Sequence, residues 1–506
     1  MKNLLILLIT VISINQTLAQ LWVKSGHDYV ADTSYYNSLQ DVCIDSMATK
    51  VVISINNLNI QTGQEEYITQ AYTRNNGNLT ELGLPILGNP NEDSDVTSSS
   101  LSIDGETLII GRRSYDFRGM NLSGVIEVYE LNGNNNWIQK GDSIGGFGVA
   151  ANFGRSVDIS NDGNTIIAGG DEGTFGGTGG YIRVFDWNGT NWVQKGDSIR
   201  KSIAYTKFGS SVKINNSGNI IAVGAKEEND TINSIFDAGS ITIYEWNGTN
   251  WEQKGQKFYG LNAQEDLGRE NGFSLSNNGL SISIGYSKAN SDSGYVKVFD
   301  WDSNSSNWNQ RGNTIKSQYQ STDFGIGTNL SGDGQILSIT KNENLIAKLT
   351  YKYDNTSNTW VKFGNSINGY TNLNTYYLAD IYNILNYDGP ILTNPGRVNV
   401  PNYLYAFTSY VRFYEFDENA VDINTHLPRE EVSIYPNPTN GAVQIQLNSK
   451  ENHRIGITDI TGKSIFNFET NKLNNTLDFS LYPKGMYIVT IIRDSKLITT
   501  NKILLQ

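Results

Sequence analysis

Phe153–Ile199 reads FGRSVDISNDGNTIIAGGDEGTFGGTGGYIRVFDWNGTNWVQKGDSI, and the fold follows from this stretch. Phe153–Ser160 predicts a strand, Asp162-Gly163 a hairpin turn, and Thr165–Gly169 the apolar strand that answers it. A Gly-rich loop leads to Tyr181–Trp187, where Ile182 and Val184 share one face and Tyr181, Arg183 and Phe185 the other. Asn188-Gly189 turns the chain again, into Trp192–Ile199. A meander of four short strands cannot bury both faces alone, so copies of the unit have to stack.

The copies are counted on the fourth strand, where Trp is followed by Gly four residues on and a large apolar residue seven on. Trp137/Gly141/Ile144, Trp192/Gly196/Ile199, Trp251/Gly255/Phe258, Trp308/Gly312/Ile315 and Trp360/Gly364/Ile367 fit, with Trp-to-Trp spacings of 55, 59, 57 and 52 residues. Leu79/Gly83/Ile86 and Trp22/Gly26/Tyr29 extend the series towards the N-terminus. First strands begin near Val42, Ser98, Ser156, Ser211, Gly272, Ile326 and Ile381. The last copy has a third strand, Ser409–Phe416, and stops at Asp417 without its Trp strand, while Leu21–Val30 is left over at the other end. The chain is therefore expected to be all-β, with a seven-bladed β-propeller over 20–418 whose last blade is completed by the N-terminal strand. Such pairing removes an open, aggregation-prone edge.

The chain has 506 residues, 50 Gly, 9 Pro, 11% aromatic residues and a formal net charge of −13. Gly and Asn turns favour β structure, and the negative charge argues against binding to nucleic acid. Cys43, the single cysteine, excludes an intramolecular disulfide and a Cys-based metal cluster, and its place on an inner strand predicts a buried thiol. Met1–Ala19, with Lys2, an apolar run and Thr17-Leu18-Ala19, reads as a secretory signal peptide; no other segment is long and apolar enough for a transmembrane helix.

Two kinds of connection alternate along the repeats. First-to-second turns are short and alike (Asp104-Gly105, Asp162-Gly163, Ser217-Gly218, Asn278-Gly279, Asp333-Gly334, Asp388-Gly389), and they belong to one rim with the third-to-fourth turns. The opposite rim carries loops of differing length and chemistry, Arg112–Ser123, Asp171–Gly179, Lys226–Ala238 and Ser287–Ser293, with Gly145–Asn152, Arg200–Lys207 and Gly260–Glu270 between blades. Divergent loops on a rigid scaffold suit binding. The candidate contacts are the aromatics that stand outside the repeat pattern, Tyr115, Phe117, Phe175, Tyr205, Phe236, Tyr259 and Tyr319, with Arg112 and Arg113 as polar partners. The repeated tryptophans are expected to pack between neighbouring blades.

Phe153-Gly154, Phe208-Gly209 and Phe324-Gly325, with Val223-Gly224-Ala225 closing a second strand, resemble FG-GAP-type propeller repeats of secreted bacterial surface proteins. The calcium-binding members of that family carry an Asp-x-Asp-x-Asp-Gly loop, which no blade here has, so no metal is expected. Residues 419–430 read as a linker, and 431–506 as a small immunoglobulin-like β-sandwich. That segment resembles the type A C-terminal sorting domain of the type IX secretion system. The resemblance is carried by Tyr435-Pro436-Asn437-Pro438 with Gly441, Asp459 with Gly462-Lys463, Leu481–Ile488 including Gly485 and Tyr487, and the end from Lys502. It implies export by that machinery across the outer membrane of a Gram-negative bacterium, to the surface or the medium.

The chemistry-bearing motifs are sparse. Gly176–Gly180 is followed by a strand, where a phosphate loop needs a helix N-terminus. His27, His426 and His453 have no zinc-like spacing, and neither a nucleophile elbow nor a His-Glu-x-x-His motif occurs. No cofactor is expected. The reading is a non-enzymatic exported binder of a protein or glycan; the alternative is a polysaccharide hydrolase or lyase with paired carboxylates over the channel.

Overall fold

The computed structural model describes residues 21–505 except 31–34, 60–64, 76–77, 90–95, 172–178, 204, 290–292, 318–322, 344, 369–390, 400–406, 418–432, 436, 438, 448–449, 460–462 and 494–495. The expected signal peptide, linker, seventh first strand and Asp388-Gly389 turn lie outside the described residues, as do Phe175, Tyr319, Pro436, Pro438 and Gly462. The chain divides into two compact units, 20–417 and, at the C-terminal end, 418–506.

Among the described residues the first unit is built of β-strands with one 3-10 turn, Phe117–Gly119, and the strands form seven antiparallel sheets. Sheet three is representative: Phe153–Ile159, Thr165–Gly170, Tyr181–Trp187, then an outer strand in two pieces, Trp192–Gln194 and Ile199–Arg200. Sheets one to six repeat this order. In the seventh, Ile391–Asn399 pairs with Phe407–Asp417, which pairs in turn with Leu21–Val30, Leu21 lying opposite Asp417. The core lies between neighbouring sheets. Ile109, Ile126 and Val128 of sheet two pack on Phe153, Val157, Ile166, Ala168 and Tyr181 of sheet three, each large buried side chain contributing about 1.5–3 kcal/mol.

The expected continuous fourth strand is broken in sheets two, three, four and six and continues with a shift of register in sheets one and five, and the repeated glycine is the reason. Gly141, Gly196, Gly255 and Gly312 take φ of 70–77°, left-handed values natural to glycine, so the outer strand bulges there. A side chain at Gly196 would strike Trp246 and Trp251 of the next sheet at 2.7 and 3.4 Å. Four of the tryptophans also reach back to the preceding sheet, where the indole N–H donates to the carbonyl three residues after the preceding Trp. The pairs are Trp192 to Lys140 (2.7 Å), Trp251 to Lys195 (3.0 Å), Trp308 to Lys254 (2.8 Å) and Trp360 to Arg311 (3.1 Å). Those same basic residues lie over the next sheet's aromatic pair, with Lys254 Nζ 4.2 Å from the Trp301 ring centroid. The Trp-x-x-Lys/Arg-Gly pattern is thus a fastening between sheets.

A second fastening lies at the loop end. Gly154, Gly209, Gly268 and Gly325 have φ of 85–88°, and their carbonyl oxygens sit where a side chain on Gly111, Gly169, Gly224 or Gly285 would go, 2.0–2.2 Å from an ideal Cβ. Backbone meets backbone across each junction, so both positions exclude a side chain. Leu267-Gly268 fills this role in sheet five, a copy that the Phe-Gly pattern does not show.

At the turn end a chain of backbone hydrogen bonds joins the sheets. Ser46 donates to Ile103, Ile103 to Asn161, Asn161 to Asn216, Asn216 to Asn277 and Asn277 to Gly332, at 2.9–3.2 Å. The open edges of the first strands are satisfied similarly: Val157 N–H donates to Ser98 Oγ at 3.1 Å, Ile214 N–H to Asp158 Oδ2 at 2.9 Å, and Leu330 N–H to Ser274 Oγ at 3.1 Å.

The C-terminal unit has two sheets, Ser433–Tyr435/Ala442–Gln446/Asn474–Asp478 and Ser464–Thr470/His453–Asp459/Gly485–Arg493/Lys496–Leu505. Val443, Ile445, Ile455, Ile457, Phe479, Val489, Ile491 and Ile503 form the core between them.

Candidate functional site

The loops opposite the turn end are knitted into one band. Ala150 and Asn152 N–H donate to Asn121 and Leu122, Asn152 Nδ2 to Asp171, Glu227 N–H to Thr206, and Gln264 N–H to Phe236. Several residues of the band sit at positive φ without being glycine: Leu122, Ala150, Asn152, Tyr205, Lys207, Asp237, Gln264 and Asp266. Such backbone costs about 1–2 kcal/mol per residue and gathers at binding sites. Along the band runs a row of exposed apolar side chains: Leu122, Phe147, Val149, Ile203, Tyr205, Ile232, Phe236 and Leu261. Ile232 is 85% exposed, Tyr205 63% and Phe236 61%.

The structure separates the candidate residues. Tyr205 and Phe236 stand out into solvent on this row. Tyr115, Phe117 and Tyr259 are half-buried; Phe117 lies on the backbone of Gly145, and Lys257 Nζ stands 5.1 Å from the Tyr259 ring. Arg112 ends a strand rather than opening a loop, is 3% exposed, and its Nε lies 3.4 Å from Glu127 Oε2. Arg113 is half-buried beside it, its N–H donating to Thr97. The row also holds Phe147, flanked by the guanidinium groups of Arg200 and Arg183 at 4.3 and 4.5 Å. It sits off the repeat pattern in a between-blade loop, which is the same signal that marks Tyr205.

Beneath the band is a buried ionic cluster. Burial pushes the Glu228 carboxyl up, but the Ser240 hydroxyl and the Lys257 and Lys201 ammonium groups outweigh it and hold it below the usual range. Lys257 Nζ is 2.9 Å and Lys201 Nζ 3.4 Å from Glu228 Oε1. Every member is occupied, so the cluster anchors the loops Lys201–Lys207 and Lys226–Gly239 rather than presenting a charge.

The first strands of five sheets and the segment entering sheet five border a polar cavity of about 160 Å³, lined by Asp41, Ser98, Ser156, Asp158, Ser211, Lys213 and Glu270 among others. Burial raises the Asp41 carboxyl to about 7; the Ser99 hydroxyl and N–H, which donate to it, act the other way, and the charge of Glu270 raises it further. Arg155 Nη2 lies 3.2 Å from Glu270 Oε2 and ties sheet three to the entry of sheet five. Cys43 is buried on the same wall, its thiol pushed up by burial. Among the described residues no three His, Cys, Asp or Glu side chains are grouped to hold a metal, and no helix is long and apolar enough to cross a membrane.

In the C-terminal unit the motif residues have structural work. Asn437 Nδ2 donates to Lys502 O at 2.6 Å and Leu504 N–H donates to Asn437 Oδ1 at 2.9 Å, clamping the last strand. Lys463 N–H donates to Asp459 Oδ1 at 3.0 Å, and buried Tyr487 donates through its hydroxyl to Pro483 O at 2.5 Å. A side chain on Gly441 would meet Ser480 Oγ at 2.7 Å, and Gly485 has φ of 150°. Tyr435 and Lys502 are exposed.

Residues 433–506 match the family described as the secretion system C-terminal sorting domain. This tail marks the chain for type IX secretion, to the outside or the cell surface. No similar sequence was found among curated proteins. Among solved structures, the β-propeller domain of the Trilobed protease from Pyrococcus furiosus is 13% identical, with 74% of this chain and 93% of that one covered at a TM-score of 0.44. The periplasmic gluconolactonase of Pseudomonas aeruginosa is 14% identical, with 64% and 84% covered at 0.42. The acylaminoacyl peptidase of Pyrococcus horikoshii is 10% identical, with 82% and 58% covered at 0.45.

Proposed function

We propose that residues 20–418 form a seven-bladed β-propeller of FG-GAP-like repeats, closed by Leu21–Val30, and that it serves as an exported, non-enzymatic binding module. The observation that carries the binding reading is the row of exposed apolar side chains on one band of strained loops. Such a patch on a soluble unit marks a surface that another molecule covers. A protein or glycan partner docks there, with Tyr205 and Phe236 as its anchors and Phe147 between them and sheet two. Retention of the mature chain on panels of cell-surface proteins and polysaccharides tests this. Alanine at Phe147, Ile203, Tyr205 and Phe236 together should abolish retention and change stability by about 0.5–1 kcal/mol per site at most. Val193→Ala, exposed on an outer strand, should change neither. Retention that survives the four alanines sinks the assignment.

A second reading rests on the cavity, where Asp41 and Glu270 feel each other's charge and Asp41 titrates near neutrality, as acid–base groups of glycosidases do. In the same polysaccharide panel, product formation that disappears with Asp41→Asn would favour this reading over binding alone.

Export rests on the tail. A chain ending near Pro428 is expected to fold and remain in the periplasm, because the whole sorting domain is missing. Equal amounts of full-length and shortened protein in the culture medium would show that export does not use the tail.

A further inference from the structure

The polar cavity continues into a second one of about 200 Å³, and Ser100, Asp158, Lys213 and Asn329 border both. Alternation along the first strands builds the lining. Ser156 and Asp158 face the cavity while Val157 enters the core of sheet three; Ser211 and Lys213 face it while Val212 enters the core beside sheet four.

Two side chains there have no protein partner. Ser211 is 4% exposed, and its hydroxyl makes no hydrogen bond among the described residues. Lys213 makes neither a hydrogen bond nor an ion pair among them. The hydroxyl of buried Ser211 and the ammonium of half-buried Lys213 thus reach the cavity with their hydrogen-bonding capacity free for water or a ligand. The neighbouring Asp158 is engaged, accepting from Ser100 Oγ at 2.8 Å and Ile214 N–H at 2.9 Å.

We propose that the cavity binds a small neutral polyol, one free sugar or sugar end, hydrogen-bonded by Ser211 and Lys213. The chemistry of the lining selects this class. Lys213 and Asp158 border the same cavity with opposite charges, and Glu270 is paired with Arg155, so a strongly charged ligand gains little net attraction. No aromatic side chain borders the first cavity among the described residues, which leaves an aromatic ligand without a stacking face. Hydroxyl, carboxylate and ammonium groups together offer donors and acceptors at close spacing, the complement of a ring carrying several hydroxyls. A cavity of about 160 Å³ holds several waters, the number that one such ring displaces.

Cavity and rim are separate surfaces, and one set of measurements distinguishes them. Saturation-transfer NMR and titration calorimetry on the mature full-length chain would use neutral hexoses, pentoses and sugar alcohols, with a uronic acid and an amino sugar as charged arms. At least one neutral compound should bind; Ser211→Ala and Lys213→Met should each weaken it tenfold or more, and Tyr205→Ala with Phe236→Ala should leave it unchanged. Ser211→Ala removes a single oxygen and serves if Lys213→Met misfolds. The proposal is overturned if no neutral compound binds, which leaves water alone in the cavity, if a charged arm binds more tightly, or if affinity survives Ser211→Ala.

Discussion

Gly169→Ala is expected to destabilise the first unit by about 3 kcal/mol or more. The new methyl group would sit 2.0 Å from the carbonyl oxygen of Gly209, a backbone atom held between the paired Phe208 and Ser211 and accepting from Ser156 Oγ at 2.9 Å. Neither sheet can yield without loosening the junction between them, and overpacking of this kind costs about 1–3 kcal/mol even where side chains can adjust. Gly209→Ala adds a backbone penalty of about 1–2 kcal/mol, because its φ is 86°. Two controls separate space from conformation. Gly189 has φ of 96° with nothing within 4 Å, so Gly189→Ala pays only the backbone cost; Gly133 has open space and no positive φ, and Gly133→Ala should be neutral. Denaturant midpoints in the order Gly133→Ala, Gly189→Ala, Gly169→Ala, Gly209→Ala, from most to least stable, support the fastening. A Gly169→Ala midpoint equal to that of Gly133→Ala would mean that the sheets are not held at this contact.

What was legible in the sequence is what repeats. Trp192, Gly196 and the Asp162-Gly163 turn recur because each meets an equivalent neighbour, and an interaction repeated between sheets leaves a period in the chain. In the turn, Asp162 Oδ1 accepts from Ser160 Oγ at 2.6 Å and from Asn164 N–H at 3.1 Å; Ser102/Asp104 and Ser331/Asp333 do the same. The role of Leu267-Gly268 was hidden because the junction needs the glycine and an apolar neighbour, and Leu meets that need as Phe does. Arg112 reads as a loop residue since it follows an apolar run, yet its aliphatic stem continues the strand inward and Glu127 neutralises its head.

The candidate site was legible only in part for a related reason. Loop residues answer to a partner outside the chain, so they carry no period, and only their departure from the pattern singles out Tyr205 and Phe236. Phe147 departs in the same way. Nothing local marks Arg155 and Glu270, 115 residues apart, as an ion pair. Asp41 likewise reads as an ordinary strand carboxylate until the inner strands close around it.

Stability should pass through a minimum near pH 7, flanked by two slopes of opposite sign. Asp41 is raised by burial from 3.8 to about 7 in the folded chain, so the folded state holds its proton more tightly than the unfolded one. Between about pH 4 and 7 the folded state therefore binds more protons, and stability falls as pH rises. Lys348 is buried, and burial lowers its ammonium from 10.5 to about 7. Between about pH 7 and 10 the unfolded state binds more protons, and stability rises with pH. Each slope is about 1.4 kcal/mol per pH unit, so each group spans several kcal/mol across its window. Asp41→Asn keeps an acceptor for the Ser99 N–H and hydroxyl, so it should flatten the acid slope and leave the alkaline one. Lys348→Met should do the reverse. Denaturant midpoints measured from pH 4.5 upwards avoid the acid range in which Asp162 and Glu228, both held low in the fold, lose their own contribution. An acid slope that persists in Asp41→Asn would place the titrating group elsewhere and remove the basis for treating Asp41 as an acid–base group.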